Sequence, residues 1–268
     1  MRGPVRIILI VFFACVFLLA GWKALDYIGE YRSGQDSYGS MEQYVSIPEP
    51  SPSPERENLP DAPQPPEESA PVYPVDDTVW PEVDFEALRL SCPDIVGWLY
   101  IEGTKINYPV VQGADNDFYL HRLADGSYND AGAIFVDARC ARDMSGLNTV
   151  IYGHWRRDGS MFYDLHKYKE QEFFDAHPEG LFITPDSRYK LRFFSGYVAE
   201  VTESAWETDF DAADYGLWLE EVAAKSAFAA PVTPNPGDRV VTLSTCSYEF
   251  YNARFVMHAI AVDYGPGE

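Results

Sequence analysis

The first feature of the chain is an apolar run that no charged residue interrupts. It covers residues 7–22, with Arg2 and Arg6 before it and Lys23 after it. A helix of that length spans roughly 24 Å, and basic side chains at its ends can reach across the rest of a roughly 30 Å bilayer core. Because positive charge precedes the run, the pattern predicts an uncleaved, single-span membrane anchor at residues 1–25 with a cytoplasmic start. A cleaved signal peptide is the alternative, and the absence of a clean small-x-small cleavage site disfavours it.

The pattern changes after residue 25. Prolines recur from Pro48 to Pro74, interleaved with Glu, Asp and Ser. Proline removes backbone donors and favours an extended conformation that rises about 3.1 Å per residue. We therefore expect residues 26–78 to form a Pro/Glu-rich extracellular stalk that holds a folded domain away from the membrane.

Strand patterns dominate residues 79–268, which we interpret as the folded domain. A short helix is expected at 84–91, two more at 117–122 and 161–176, and a longer helix at 211–228. Runs rich in β-branched and aromatic residues predict eight strands, at 95–101, 106–111, 133–136, 149–152, 181–184, 189–203, 239–244 and 254–264. Eight irregularly spaced strands with few helices predict a mostly β fold, a closed or nearly closed eight-stranded β-barrel.

Net charge and cysteine spacing exclude some classes of partner and binding site. The formal net charge of −22 argues against nucleic acid as a partner, since phosphate binding needs clustered Lys and Arg. The four cysteines form no CxxC pair and lie at no zinc-ligand spacing from a histidine. Residues 115–117 do not begin a calcium loop, because Tyr119 and Leu120 follow where a ligand and Gly are needed. We expect no metal and no cofactor.

One cysteine stands where a nucleophile would be placed. The apolar strand pattern at 240–245 runs directly into Cys246, and polar residues follow it. A thiol at the end of a strand is held rigidly and can still be reached. By itself this placement is weak, because free cysteines are more often buried structural residues.

Two further residues support the interpretation of Cys246 as a nucleophile. His154 ends a second apolar strand pattern, at 148–153, where an imidazole can take a thiol proton and return it to a leaving amine. Arg254 follows Cys246 by eight residues and begins the last strand. Strands joined by so short a connection are expected to be antiparallel neighbours, which places Arg254 beside Cys246. A guanidinium there can hold a substrate carbonyl and stabilise its oxyanion.

These residues resemble the active-site signature of the bacterial sortases. The signature consists of TLSTC at 242–246, YGH at 152–154 and Arg254. The resemblance covers residues 94–262, and further segments resemble class B sortases in particular: DIVGW at 94–98, INYPVVQ at 106–112, DNDFYL at 115–120, IFVD at 134–137 and GSMF at 159–162. The helix at 211–228 matches the long helix that class B members carry before the cysteine strand.

The resemblance implies a sortase-type barrel in which Cys246 is the nucleophile, His154 the acid/base and Arg254 the substrate and oxyanion clamp. It implies a Gram-positive cysteine transpeptidase that cuts a C-terminal sorting signal of NPxTN or PxTG type after its Thr. The thioacyl intermediate would pass to an amine of the lipid-linked peptidoglycan precursor, which joins a surface protein to the cell wall. The expected location is the cell membrane, with the domain at 79–268 as the catalytic domain, outside and facing the wall.

Some positions depart from the family pattern or stay open. Trp155 stands where class B members often have Asn, and the segment 138–140 lacks the expected polar run. Glu249 and Asp137 are candidates for a fourth, orienting residue. The residues alone do not decide between a thiolate–imidazolium pair and a neutral thiol. The alternatives are an exported cysteine peptidase, a pilin-polymerising sortase and a non-catalytic wall-binding domain.

Overall fold

The computed structural model describes residues 3–48 and 77–267. Its α-helices are α1 Gly3–Glu42, α2 Phe85–Ser91, α3 Gln171–Ala176 and α4 Ala212–Ala224, and its 3-10 helices are Phe118–His121, Tyr163–Lys169 and Ser204–Trp206. Its strands are β1 Val45–Ser46, β2 Glu82–Val83, β3 Ile95–Tyr100, β4 Asn107–Val111, β5 Ile134–Val136, β6 Asn148–Tyr152, β7 Glu179–Ile183, β8 Arg188–Glu200, β9 Val240–Cys246 and β10 Ala253–Asp263.

Eight of these strands close into the predicted barrel. The order around it is β10-β8-β7-β3-β4-β5-β6-β9, and β9 pairs with β10 to complete the ring. Each of the eight observed strands overlaps one of the eight predicted ones. Most neighbours are antiparallel, but β4 pairs with β5 and β6 pairs with β9 in parallel. Strand β9 therefore lies between β6 and β10 and carries Cys246 at its carboxyl end.

Two buried clusters stabilise the barrel. The larger includes Trp98, Leu99 and Phe255 and extends to residues of α1 and α2 that pack on the barrel. The smaller lies where α4 packs on β8 and β10, and its largest members are Tyr215 and Trp218. Strands β8 and β10 are thus covered on both faces, and most of their residues are buried.

Two predicted helices differ in detail. The helix expected at 161–176 is a 3-10 helix followed by α3, and the break falls at Glu170, whose backbone is extended. The longer helix ends at Ala224 instead of 228, since Ser226 Oγ donates to Phe228 O at 2.7 Å and forms a turn. That turn directs Phe228 into the core, where its ring stacks on Phe174 at a centroid distance of 4.1 Å.

The structure differs from the sequence prediction at the start of the stalk. Helix α1 continues through residues 26–42, and Tyr38 and Met41 are buried in the barrel cluster at 8% and 2% exposure. Strand β1 then pairs with β2. The region predicted as a stalk therefore begins with a helix that packs on the domain. The proline-rich part at 49–76 lies outside the described residues.

The first half of α1 leaves its apolar side chains exposed, from Ile7 to Trp22. By length and composition, this is a helix that could cross a membrane, although a signal sequence near the N-terminus would have the same character.

Candidate active site

Strand register brings Arg254 beside Cys246. The antiparallel pairing of β9 and β10 places the two residues directly opposite each other, as predicted from their short connection. Cys246 is half-buried at the end of its strand.

His154 lies near the same end of the barrel because β6 is the parallel neighbour of β9. Tyr152 pairs with Ser244, and Gly153 N donates to Ser244 O at 3.1 Å. His154 and Cys246 each follow that last pair by two residues. Since parallel strands end at the same edge of a sheet, the imidazole and the thiol occupy the same rim.

The hydrogen bond of His154 fixes its tautomer. Its Nε2 lies 2.7 Å from Leu120 O, and because a carbonyl only accepts, Nε2 carries the proton. The other nitrogen, Nδ1, is then free to accept a proton. Burial lowers the pKa of His154 below its ordinary value, which favours the neutral ring. A neutral imidazole with an unprotonated Nδ1 is the form that can act as a base toward a thiol.

Arg254 lines a groove of about 380 Å³, together with Tyr152, Trp206, Glu207 and Ser244. Its Nη1 donates to Ala253 O at 3.0 Å, and no carboxylate in the described segments forms an ion pair with it. Cys246 and His154 do not line this groove, whereas Ser244 and Tyr152, which precede them by two residues, do. The guanidinium is therefore available to a ligand in the groove.

Comparison of the chain with known protein families shows which family it is related to. The sortase domain family matches residues 99–262 of the chain.

The chain belongs to the sortase family.

Its relatives carry the class B name, which confirms the predicted resemblance. It is 39% identical over 157 residues to sortase B of Listeria monocytogenes, a match that covers 58% of this chain and 64% of that relative. It thus spans less than two thirds of that protein's length. The sortase B of Bacillus anthracis in complex with AAEK1 aligns with a TM-score of 0.69 and 31% identity over 88% of this chain and 99% of the other. A sortase B–substrate complex from Staphylococcus aureus aligns with a TM-score of 0.63 and 35% identity, over 66% of this chain and 84% of that one.

The two candidates for an orienting carboxylate have other partners in this sortase-family protein. Asp137 is buried and binds Arg139 at 2.9 Å and the Tyr152 hydroxyl at 2.9 Å. Its burial alone would raise the pKa of the carboxyl, but the hydrogen bonds from Arg139 and Tyr152 outweigh it and lower the pKa to about 2. Glu249 pairs with Lys169. Within the part of the chain that the structure describes, neither has a hydrogen bond to His154, which is oriented by a backbone carbonyl.

No pattern in the sequence assigned a role to His166, yet its ring forms a hydrogen bond with the backbone of the proposed nucleophile. Its Nε2 donates to the Cys246 carbonyl at 2.9 Å, and its ring stacks on Trp155 at a centroid distance of 5.5 Å. Burial lowers the pKa of His166, with Lys169 adding to the effect. Trp155, noted only as a departure from the class B pattern, is thus part of the wall beside Cys246. That departure was the one sequence signal for this contact.

The other cysteines of the domain and the buried His258 have surroundings that fit a structural role. Burial raises the pKa of both Cys92 and Cys140, so their thiols are poor nucleophiles at neutral pH. His258 is buried and bonds Thr242 at 2.9 Å, and burial lowers the pKa of this histidine to about 3. No group of three potential metal ligands occurs in residues 3–48 and 77–267.

Proposed function

We propose that this protein is a membrane-anchored cysteine transpeptidase that attaches surface proteins to the cell wall. The observation that carries the proposal is the strand register at one rim of the barrel. It places Arg254 opposite Cys246 and His154 just beyond the neighbouring parallel strand. Membership of the sortase family supports the same reaction class.

The first half-reaction forms a thioester. Cys246 Sγ attacks the carbonyl carbon of the Thr in a sorting signal of NPxTN or PxTG type, and His154 Nδ1 takes the thiol proton. Arg254 stabilises the oxyanion of the tetrahedral intermediate. The C–N bond then breaks as His154 returns its proton to the leaving amine.

The second half-reaction forms an amide. An amine of the lipid-linked peptidoglycan precursor attacks the thioester carbonyl and loses a proton to His154. The C–S bond breaks, and Cys246 regains its proton. An acceptor bound in position has an advantage over water through proximity, and this advantage separates transfer from hydrolysis.

Two structural features support the proposed substrate and location. The groove beside Arg254 offers aromatic faces from Tyr152 and Trp206 and acidic groups from Glu203 and Glu207, which suits an extended peptide of mixed character. The apolar first half of α1 would hold the domain at the membrane surface, where lipid-linked precursors carry their amines.

The test separates transfer from hydrolysis. A peptide with a sorting signal is incubated with the protein, alone and with a glycine-type amine, a diaminopimelate-type amine or hydroxylamine. We expect slow cleavage after Thr in water and diversion of the acyl group into an amide or hydroxamate, identified by mass spectrometry. Free acid at every amine concentration, with unrelated peptides cut equally well, would instead establish an exported cysteine peptidase. Preference for a lysine side chain of a protein acceptor would establish a pilin-polymerising enzyme.

A further inference from the structure

The docked half of α1 packs on β4 and on a loop of the barrel, residues 120–132. Tyr38 is buried there, and its hydroxyl donates to Gly132 O at 2.7 Å. Its ring packs edge-on against Tyr108 at a centroid distance of 5.3 Å. Ser37 Oγ donates to Asp125 at 3.0 Å, and Asn129 Nδ2 donates back to Glu30 O at 2.8 Å. The helix thus holds this loop at several points.

The same loop forms the floor beneath His154. Gly132 has a φ of +62°, and a Cβ placed on it would lie 2.7 Å from Cδ2 of His154 and 2.8 Å from Leu120 O. That close approach is open only to glycine. Leu120 O is also the acceptor for His154 Nε2. Movement of Gly132 would therefore shift both the packing surface and the hydrogen-bond acceptor of the imidazole.

We propose that Tyr38 is a positioning residue for His154, acting through Gly132 and the 120–132 loop. The helix that carries the apolar N-terminal segment would then also set the orientation of the His154 ring, which packs on the other side of Gly132. The inference rests on the proposed function insofar as it takes His154 to be the base. It assigns to residues before the barrel a role in the chemistry, beyond anchoring.

Loosening this contact should change the ionisation of His154 in a known direction. The groups around its ring are His121, with a centroid distance of 6.4 Å, Arg156 and Asp130. The largest influence is burial, which keeps the pKa of His154 low. A better-hydrated ring would therefore have a higher pKa, and the acid limb of the pH–rate profile would move to higher pH.

The first experiment uses the full-length chain in detergent and compares Tyr38→Phe with Ser37→Ala. Tyr38→Phe removes only the hydroxyl that holds Gly132, whereas Ser37→Ala removes a neighbouring bond from α1 to the same loop. We expect Tyr38→Phe to lower kcat about tenfold with KM within about twofold of wild type, because a displaced base slows the chemical step. Ser37→Ala should match wild type, because its bond to Asp125 is exposed and does not involve Gly132. Equal kcat and equal pH profiles for Tyr38→Phe and wild type would overturn the proposal.

The second pair tests the contact from the other side. Gly132→Ala and Gly126→Ala both place a side chain at a positive φ, +62° and +81°, but only the methyl at 132 would meet His154. The melting temperature of each variant measures how much stability the strained backbone costs, so the loss of activity can be compared with the loss of stability. We expect Gly132→Ala to lose activity well beyond what its stability explains, and Gly126→Ala to keep it. Equal losses would show that strain alone is responsible.

An activity-independent measurement separates this inference from the proposed function. The pKa of His154 is titrated by NMR in histidine-labelled wild type and Tyr38→Phe, with the signal assigned by His154→Gln. A raised pKa in Tyr38→Phe supports the positioning role even if no sorting peptide is cleaved. An unchanged pKa and unchanged ring shifts would contradict it even if wild type is an efficient transpeptidase.

Discussion

His154 follows β6 and Arg254 lies on β10, the two strands beside β9, and the surroundings of the two side chains differ in kind. His154 is packed against Gly132 and bound by Leu120 O, so its ring has a fixed position and a fixed tautomer. Arg254 bonds only to the carbonyl of Ala253 among the described residues and faces an open groove. One side of the thiol is constrained by the fold, and the other is left for a ligand.

This difference matches what the two proposed roles require. A base must be aligned before the substrate arrives, since small errors in proton-transfer geometry are costly. A clamp must keep its donors free, because each internal partner would have to be displaced on binding. The neighbouring Arg139 shows the contrast, since its guanidinium is held by Asp137 and Trp206 O.

The largest effect is expected when Cys246 is replaced, because this removes the proposed nucleophile on which both His154 and Arg254 act. Cys246→Ala should abolish the acyl-enzyme and lower turnover by at least about 10,000-fold, since a nucleophile cannot be replaced by its neighbours. The melting temperature should barely change, because the thiol is half-buried and makes no hydrogen bond within the described residues.

Cys140→Ala is the matched control, and it should keep its activity. Intact-mass analysis after treatment with a thiol reagent checks both variants. Inactivation that labels Cys140 and leaves Cys246 unmodified would show that the wrong cysteine was assigned.

The next largest effect is expected for Arg254, which lines the open groove. Arg254→Lys keeps the charge but loses the planar fork, so it should raise the barrier by about 2.7–4 kcal/mol, as loss of one oxyanion donor does. Arg139→Lys in the same groove should change kcat/KM much less, because its charge is already paired with Asp137. An Arg254→Lys enzyme within about threefold of wild type, roughly 0.7 kcal/mol, would make Arg254 a surface residue.

The features that the sequence predicted are local ones. The eight strands follow from apolar runs, and the pairing of Arg254 with Cys246 follows from a separation of only eight positions, which leaves few other arrangements. The site residues were singled out by their position at strand ends and by resemblance to the sortases. Both signals lie within short segments of the chain.

The features that the sequence did not predict are contacts between distant segments. Tyr38 meets Gly132 across 94 positions, and His166 meets Cys246 across 80. Residues 26–42 resembled the start of a stalk because few of their side chains are buried, so no apolar stripe appears in the pattern. Single contacts of this kind leave no periodic signal, and only the folded chain reveals them.

The smallest expected effect concerns the backbone of Cys246 itself. His166 makes two kinds of contact, a hydrogen bond from Nε2 to the Cys246 carbonyl and ring contacts with Trp155 and Phe255. His166→Phe keeps an aromatic ring for the stack and loses the donor, whereas His166→Gln keeps a donor and loses the ring. If the hydrogen bond fixes the strand end, His166→Phe should lower kcat about tenfold and His166→Gln should recover part of that loss.

The pH profile then distinguishes His166 from His154. Nε2 of His166 donates whether the ring is neutral or charged, because protonation adds a hydrogen at Nδ1 only. The profile should therefore keep its shape in both variants while its height changes, unlike the profile of a variant that disturbs the base. Equal losses in His166→Phe and His166→Gln would assign the effect to packing instead. Wild-type turnover in His166→Phe would mean that water satisfies the Cys246 carbonyl equally well, and that the fold constrains His154 but not the nucleophile's backbone.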